Sequence, residues 1–350
     1  RLFLTGLSHT SASRTNIRLA NLGTDAVNVT LYVLSAQGYA LGQPVLRTIP
    51  ALSTIQVNGI AEVAGAGADL DIFSVKVDTN VETVLAWASV VDNQTGDPVL
   101  FNPLSAYAAS RTLWVPGVAH LGGANNSQWR SDITVFNPAL FPLDSTVTYV
   151  PSEGTEIPPP LEITNLQPPK AVFFLDVLAG EFLAPDEVSK GYLVISGTGH
   201  EPPLEVVART YNLAPSGGTF GQNLSVFDGS DWLTQGGRAF IPGVALSSST
   251  DNGFRTNIGL LNVDSDEATE ITLTLMDDLG NVAGPVATLW LAAGELSQFN
   301  LATRLGLGGL DLQGTVILEH ISGAPVIAYA SVIDNRTQDP ILIPAVPGGP

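Results

Sequence analysis

Four histidines are the first side chains to weigh for acid–base or metal chemistry. His9 and His120 hold equivalent places in a repeat whose third copy has Leu246 there, while His200 and His320 have no counterparts. A zinc site needs three or four converging ligands, and no close His pair is present. The sequence has no Gly-x-Ser-x-Gly turn, no phosphate-cradling loop and no His-Glu-x-x-His helix. Two carboxylates could in principle hydrolyse a glycosidic bond, but in an acidic chain such pairs arise by accident. The expectation is a protein that is not an enzyme and needs no organic cofactor.

Calcium is the ion that the residue types could serve. Asp92, Asn93 and Asp97, with their counterparts Asp334, Asn335 and Asp339, each gather oxygen ligands within one turn, and Asp264 and Asp266 or Asp228 and Asp231 would add more. The same Asp-Asn-x-Thr-x-Asp-Pro pattern is also good turn chemistry, because Asx side chains accept hydrogen bonds from their own backbone. The spacing lacks the glycine and closing glutamate of a calcium loop, so the turn is the favoured reading. Arg14, Arg130 and Arg255 align between copies and are expected to lie along their own units or pair with carboxylates. Trp87 and Tyr329 share one strand position and read as packing residues. The Asn-x-Thr/Ser matches at Asn28, Asn93, Asn126, Asn223 and Asn335 read as incidental.

The elements that carry these residues repeat. Arg14-Thr-Asn-Ile-Arg-Leu-Ala-Asn21 recurs as Arg130-Ser-Asp-Ile-Thr-Val-Phe-Asn137 and as Arg255-Thr-Asn-Ile-Gly-Leu-Leu-Asn262. Gly38, Gly154 and Gly280 keep the same register, as do Pro44, Pro160 and Pro285. Upstream, Phe3-Leu-Thr-Gly6 matches Trp114-Val-Pro-Gly117 and Phe240-Ile-Pro-Gly243. Near-constant spacing marks three copies of one unit, with boundaries expected at 1–108, 109–232 and 233–350 and linkers near Ser105 to Leu113 and Asp228 to Ala239. Within a copy the apolar period is two, as in Val27, Val29 and Leu31, and Gly-bearing turns separate the runs. This predicts about seven strands per copy in an antiparallel sandwich. Asn58, Asp176 and Asn300 are expected to N-cap one short helical turn in each copy.

Composition sets the surroundings. Charged residues are 13% of the chain, about half the usual ~25%, and the net charge is −19 with scattered Lys and Arg. Phosphate binding needs clustered cations, so no nucleic acid and no anionic membrane surface is expected as a partner. No apolar run approaches the roughly 20 residues of a membrane helix, and no membrane insertion is expected. Zero Cys, one Met and few Lys suit a secreted bacterial protein. The start at Arg1 suits a removed signal peptide or a fragment.

Taken together, the apolar-Pro-Gly-Val-Ala-His start, the Arg-Thr/Ser-Asp/Asn-Ile strand with its closing Asn, and an ending that reads Val-Asp-Asn-x-Thr-x-Asp-Pro or, in the middle copy, Arg209-Thr-Tyr-Asn212 resemble tandem Ig-like repeats of secreted and surface proteins from environmental bacteria. The first copy departs from that pattern, with Leu4-Thr5 where the others have Val115-Pro116 and Ile241-Pro242. The resemblance spans the chain and implies an all-β fold of three tandem Ig-like sandwiches, and it carries over no site residues. The expected function is an extracellular structural protein, a filament, stalk or layer subunit that self-associates into a homopolymer. Leu2, Phe3 and Leu4 at one end and Ile341, Leu342 and Ile343 at the other read as unpaired strands for head-to-tail β contacts. The alternative is a secreted adhesion module that binds a glycan or another protein.

Overall fold

Period-two alternation becomes strands throughout. The computed structural model describes residues 2–105, 112–154, 156–198, 205–215 and 217–348. Strands hold 59% of the residues and helices 7%, far below the third typical of globular proteins, so the fold is all-β. Every sheet is antiparallel. In the first copy one sheet runs, in spatial order, Ala40–Ile49, Val27–Ser35, Leu70–Asp78, Leu2–His9 and Leu104–Ser105; the second runs Ser53–Val57, Ser13–Asn21, Val84–Asp92 and Pro98–Phe101. The third copy repeats this plan with Ala287–Leu291, Thr269–Asp277, Leu312–Gly323, Arg238–Leu246 and Val346–Pro347 against Leu296–Asn300, Phe254–Asn262, Val326–Asp334 and Pro340–Pro344. In the middle copy the long strand Thr112–Gly122 also pairs with Gln128–Phe136 at Leu121 and Gly122, which joins its strands into one eight-stranded sheet.

The inward residues of the first copy's two sheets, among them Leu4, Val29 and Val75 from one and Ile17, Ala88 and Val99 from the other, form one apolar cluster. The middle and third copies each build a cluster of their own. The motif glycines Gly6, Gly117 and Gly243 sit at φ of 74°, 85° and 77°, and in each strand the register slips at that residue. Each is therefore a β-bulge glycine, at a backbone angle that a side chain would strain.

The closing asparagines do the same work three times. Asn137 is fully buried; its Nδ2 donates to Phe141 O and Leu166 O, and its Oδ1 accepts from Ala139 N. Asn21 bonds Asp25 O, Ile49 O, Pro50 O and Gly23 N. Asn262 bonds Glu267 O, Ala292 O and Asp264 N. One amide thus ties a strand exit to a neighbouring turn, satisfying carbonyls that burial would leave bare.

Two expectations about elements need correction. Helical turns do lie at equivalent places, Ile60–Ala64, Leu178–Phe182 and Leu301–Leu305, but of the three expected caps only Asn300 acts as one, accepting from Thr303 N at 3.0 Å. Gly59 begins the first turn, and Asn58 Oδ1 accepts from Gln56 instead. Cross-strand register explains Asp176: Ile17, Ile133 and Ile258 face Val57, Phe174 and Phe299, so Leu175 is the residue equivalent to Asn58 and Asn300. Asp176 is one position further on and turns its carboxylate elsewhere.

The second correction concerns the ends. Leu2, Phe3 and Leu4 do not form an unpaired strand: Leu2–His9 lies between Leu70–Asp78 and Leu104–Ser105, with Phe3 and Leu4 buried. Ile341, Leu342 and Ile343 pair with Val332, Ser331 and Ala330 of their own copy. Intramolecular ladders satisfy these backbones first, so strand addition is not how the ends are left open. The expected linker at Asp228 to Ala239 is not a free tether either, because Trp232 packs on Trp114 with ring centroids 5.4 Å apart and Leu233 bridges to Val326. The first linker and the boundary at 108–109 lie mostly outside the described residues.

Candidate functional site

The polar residues singled out by sequence gather where copies meet. Asp92 Oδ1 accepts from Gln94 N and Thr95 N at 2.8 and 2.9 Å, and its Oδ2 reaches across to Thr219 N of the middle copy at 2.8 Å. Burial works to raise its pKa, but these backbone donors outweigh it and hold the carboxyl below its usual value. Asp334 accepts from Arg336 N, Thr337 N and the Thr337 hydroxyl, with the same net result. Asn93 Oδ1 accepts from Arg14 at 2.5 Å, and Asn335 Oδ1 from Arg255 at 3.0 Å. Both patterns are braced Asx turns, with the aligned arginines as braces. Arg130 lacks such a turn and pairs with Asp176 at 3.2 Å.

The last acid of each turn behaves differently. Asp97 is buried, accepts from Gly221 N at 2.7 Å and is raised in pKa by burial. Burial, with the charges of Asp97 and Asp334, pushes Asp339 up to about 7. Asp97 and Asp339, equivalent in sequence, thus line one cleft beside the strand Thr219–Leu224 of the middle copy. Asp264 and Asp228 cap their own turns. Among the described residues no three His, Cys, Asp or Glu side chains are placed to hold one metal ion.

A polar cluster unseen in the sequence lies on the middle copy. His120 Nδ1 lies 2.8 and 2.9 Å from the two oxygens of Asp176, and Asp132 Oδ1 accepts from Asp176 N at 2.8 Å and from the Tyr211 hydroxyl at 3.2 Å. Burial raises the pKa of Asp132. Only the misplaced cap at Asp176 hid this arrangement. A His–Asp pair becomes a base when a nucleophile sits on the other ring nitrogen; among the described residues His120 Nε2 has no hydroxyl partner, and the pair braces the strand ends. His320 is buried with Nε2 2.7 Å from Ala324 O, and His9 lies 3.6 Å from Glu62. His200 lies outside the described residues.

Three clefts open at the junctions. One of about 190 Å³ lies between the first and middle copies, lined by Gly6, Val90, Asp132 and Val207. One of about 330 Å³ lies between the middle and third, lined by Gly117, Trp129, Lys190, Gln222, Arg255 and Asn257. A shallower one of about 650 Å³ lies where Pro98, Gly221 and Pro340, three equivalent positions, approach one another. Gln222 lines both larger clefts, is mostly buried, and leaves Oε1 without a partner among the described residues.

Between the clefts the contacts are apolar. Phe3 meets Phe136 with ring centroids 5.0 Å apart, beside Leu34, Tyr32 and Ala171. Tyr192, Phe227, Leu261, Leu296, Ile327 and Tyr329 form the matching cluster at the second junction, and Leu342 packs there too.

No protein-family model matches the chain, and no curated protein matches it. Among solved structures, a tetra-tandem repeat in the extending region of a large adhesion protein is similar at 12% identity over 95% of this chain and 69% of that one, with a TM-score of 0.12. At that score the likeness carries no argument. Among the described residues no helix is long and apolar enough to cross a membrane.

Proposed function

We propose that this chain is a non-enzymatic structural protein of the cell exterior, made of three Ig-like sandwiches near 1–108, 109–232 and 233–350 that are joined into one stiff unit. The observation that carries this reading is the pair of junctions. Each buries aromatic and aliphatic side chains from both partners and is pinned by hydrogen bonds such as Asp92 to Thr219 and Tyr192 to Gly294 O at 3.1 Å. Flexibly tethered domains share smaller, more polar contacts. The chemistry-bearing residues brace turns and junctions, which supports a scaffold with no catalytic task and no required cofactor.

A second reading, a glycan-binding adhesion module, is favoured by one feature. The 330 Å³ cleft combines Trp129 with Gln222, Asn257, Gln298 and Asn300, an aromatic ring beside several amides. Titration of the full chain with a panel of soluble oligosaccharides, followed by calorimetry and assay of the products, separates the two. The structural reading expects no saturable heat and no turnover. Saturable binding lost in Trp129→Ala, with an unchanged melting temperature, would establish the module instead.

A further inference from the structure

Both junctions follow one rule, and the rule leaves an unmatched half at each end of the chain. At the first junction the bulge glycine Gly6 receives the cross-strand pair Thr134–Val207: a Cβ built on Gly6 would lie 3.2 Å from Thr134 Oγ1 and 3.5 Å from Val207 Cγ1. At the second, the equivalent Gly117 receives Tyr329, cross-strand partner of Gly259, with the hydroxyl 2.9 Å from a built Cβ. The same register places Arg18 and Trp87 together on the first copy. Among the described residues nothing fills that place's counterpart: a Cβ on Gly243, the third bulge, meets Ile343 of its own copy, at 3.7 Å.

Burial follows the rule on both sides. Glu205 and Ile327, on the received face, are 9% and 0% exposed, while Leu85 at the same position is 47% exposed. On the receiving face Thr5 and Pro116 are buried and Pro242 is exposed. Phe227 is 4% exposed where Val346 is 55% exposed. The Arg18 guanidinium lies 5.9 Å from the Trp87 ring centroid, a pairing suited to an interface because a stacked guanidinium loses little hydration on burial.

From this we infer that the bulge face of the third copy takes the Arg18–Trp87 face of a second molecule of this chain, so that molecules stack head to tail as their copies already do. The inference rests on the structural reading above and names the surface through which it would operate. The contact is heterologous, so it grows a filament where the rotation from one molecule to the next does not close a ring.

Sedimentation velocity of the full chain across its soluble concentration range tests it. The wild type is expected to associate progressively, and Trp87→Glu and Pro242→Asp each to remain single molecules. Mixed one to one, these two variants retain one intact half each and are expected to form a capped dimer. Leu85→Lys, at an exposed site, serves as a second head-side block, with thermal unfolding confirming that each variant folds. A wild type that stays monomeric throughout overturns the inference, and so does association of the wild type that both variants retain. The structural reading fails separately, on whether the three copies unfold as one.

Discussion

Replacing Glu205 by isoleucine is expected to stabilise the chain at pH 8 by about 3 kcal/mol, or about 4 °C in melting temperature if the chain unfolds as one unit. Glu205 lies in the first junction, mostly buried, with Oε1 unpartnered among the described residues, and burial alone pushes its carboxyl up to about 8. The folded state therefore holds this proton more tightly than the unfolded chain does. Stability from this group is present in full below the ordinary glutamate range and falls as pH rises, until it levels off above about pH 8. Asp339, raised to about 7, adds loss over its own lower window. Wild-type melting should thus rise on acidification from pH 8 to pH 5, and Glu205→Ile should flatten much of that slope. Isoleucine is what the third copy places there, as Ile327, fully buried. Thermal scans from pH 5 to pH 9 decide the matter; a less stable variant at pH 8 would mean that Glu205 is held by a charge partner.

Asn137→Ala and Asn262→Ala are each expected to cost about 3–5 kcal/mol, since each leaves two carbonyls and one N–H bare in the interior. Both side chains are fully buried and make the bonds described above. Aspartate should be worse than alanine at pH 7, because an anionic acceptor would face two carbonyl oxygens that need a donor. Urea titration of the four variants reads the difference. Equal losses at the two positions follow from their equivalent roles, whereas tolerance of aspartate at either would show that the amide does not tie the strand to the turn.

The repeat and the strands were legible because they depend on recurring residues and local alternation, and the glycine of each start motif was visible as a recurrence, though not as a bulge. The closing asparagine was visible as a pattern, though not as a tie, since one carbonyl it holds in each copy, that of Ile49, Leu166 or Ala292, is remote in sequence. What escaped was set by long-range register. Asp176 looked like a cap until the pairing of Ile133 with Phe174 placed Leu175 at that position, and with it went the contact to His120. The first strand looked open because its partner, Leu70–Asp78, is remote in sequence, whereas the last pairs with Val326–Asp334 across the Asp334–Asp339 turn that the sequence already marked. Self-association was expected to bury apolar side chains against outside partners; Phe136, Leu261, Ile327 and Tyr329 show that apolar side chains are buried between copies. The acidic turns were read rightly as turns, yet nothing local could show that Asp92 and Asp97 reach the middle copy.

Differential scanning calorimetry of the full chain measures most directly whether the junctions join the copies into one unit. A single transition is expected, in which the van't Hoff and calorimetric enthalpies agree, near 250 kcal/mol at about 60 °C for a chain of this length. Three separable transitions, each carrying about a third of that heat, would contradict it.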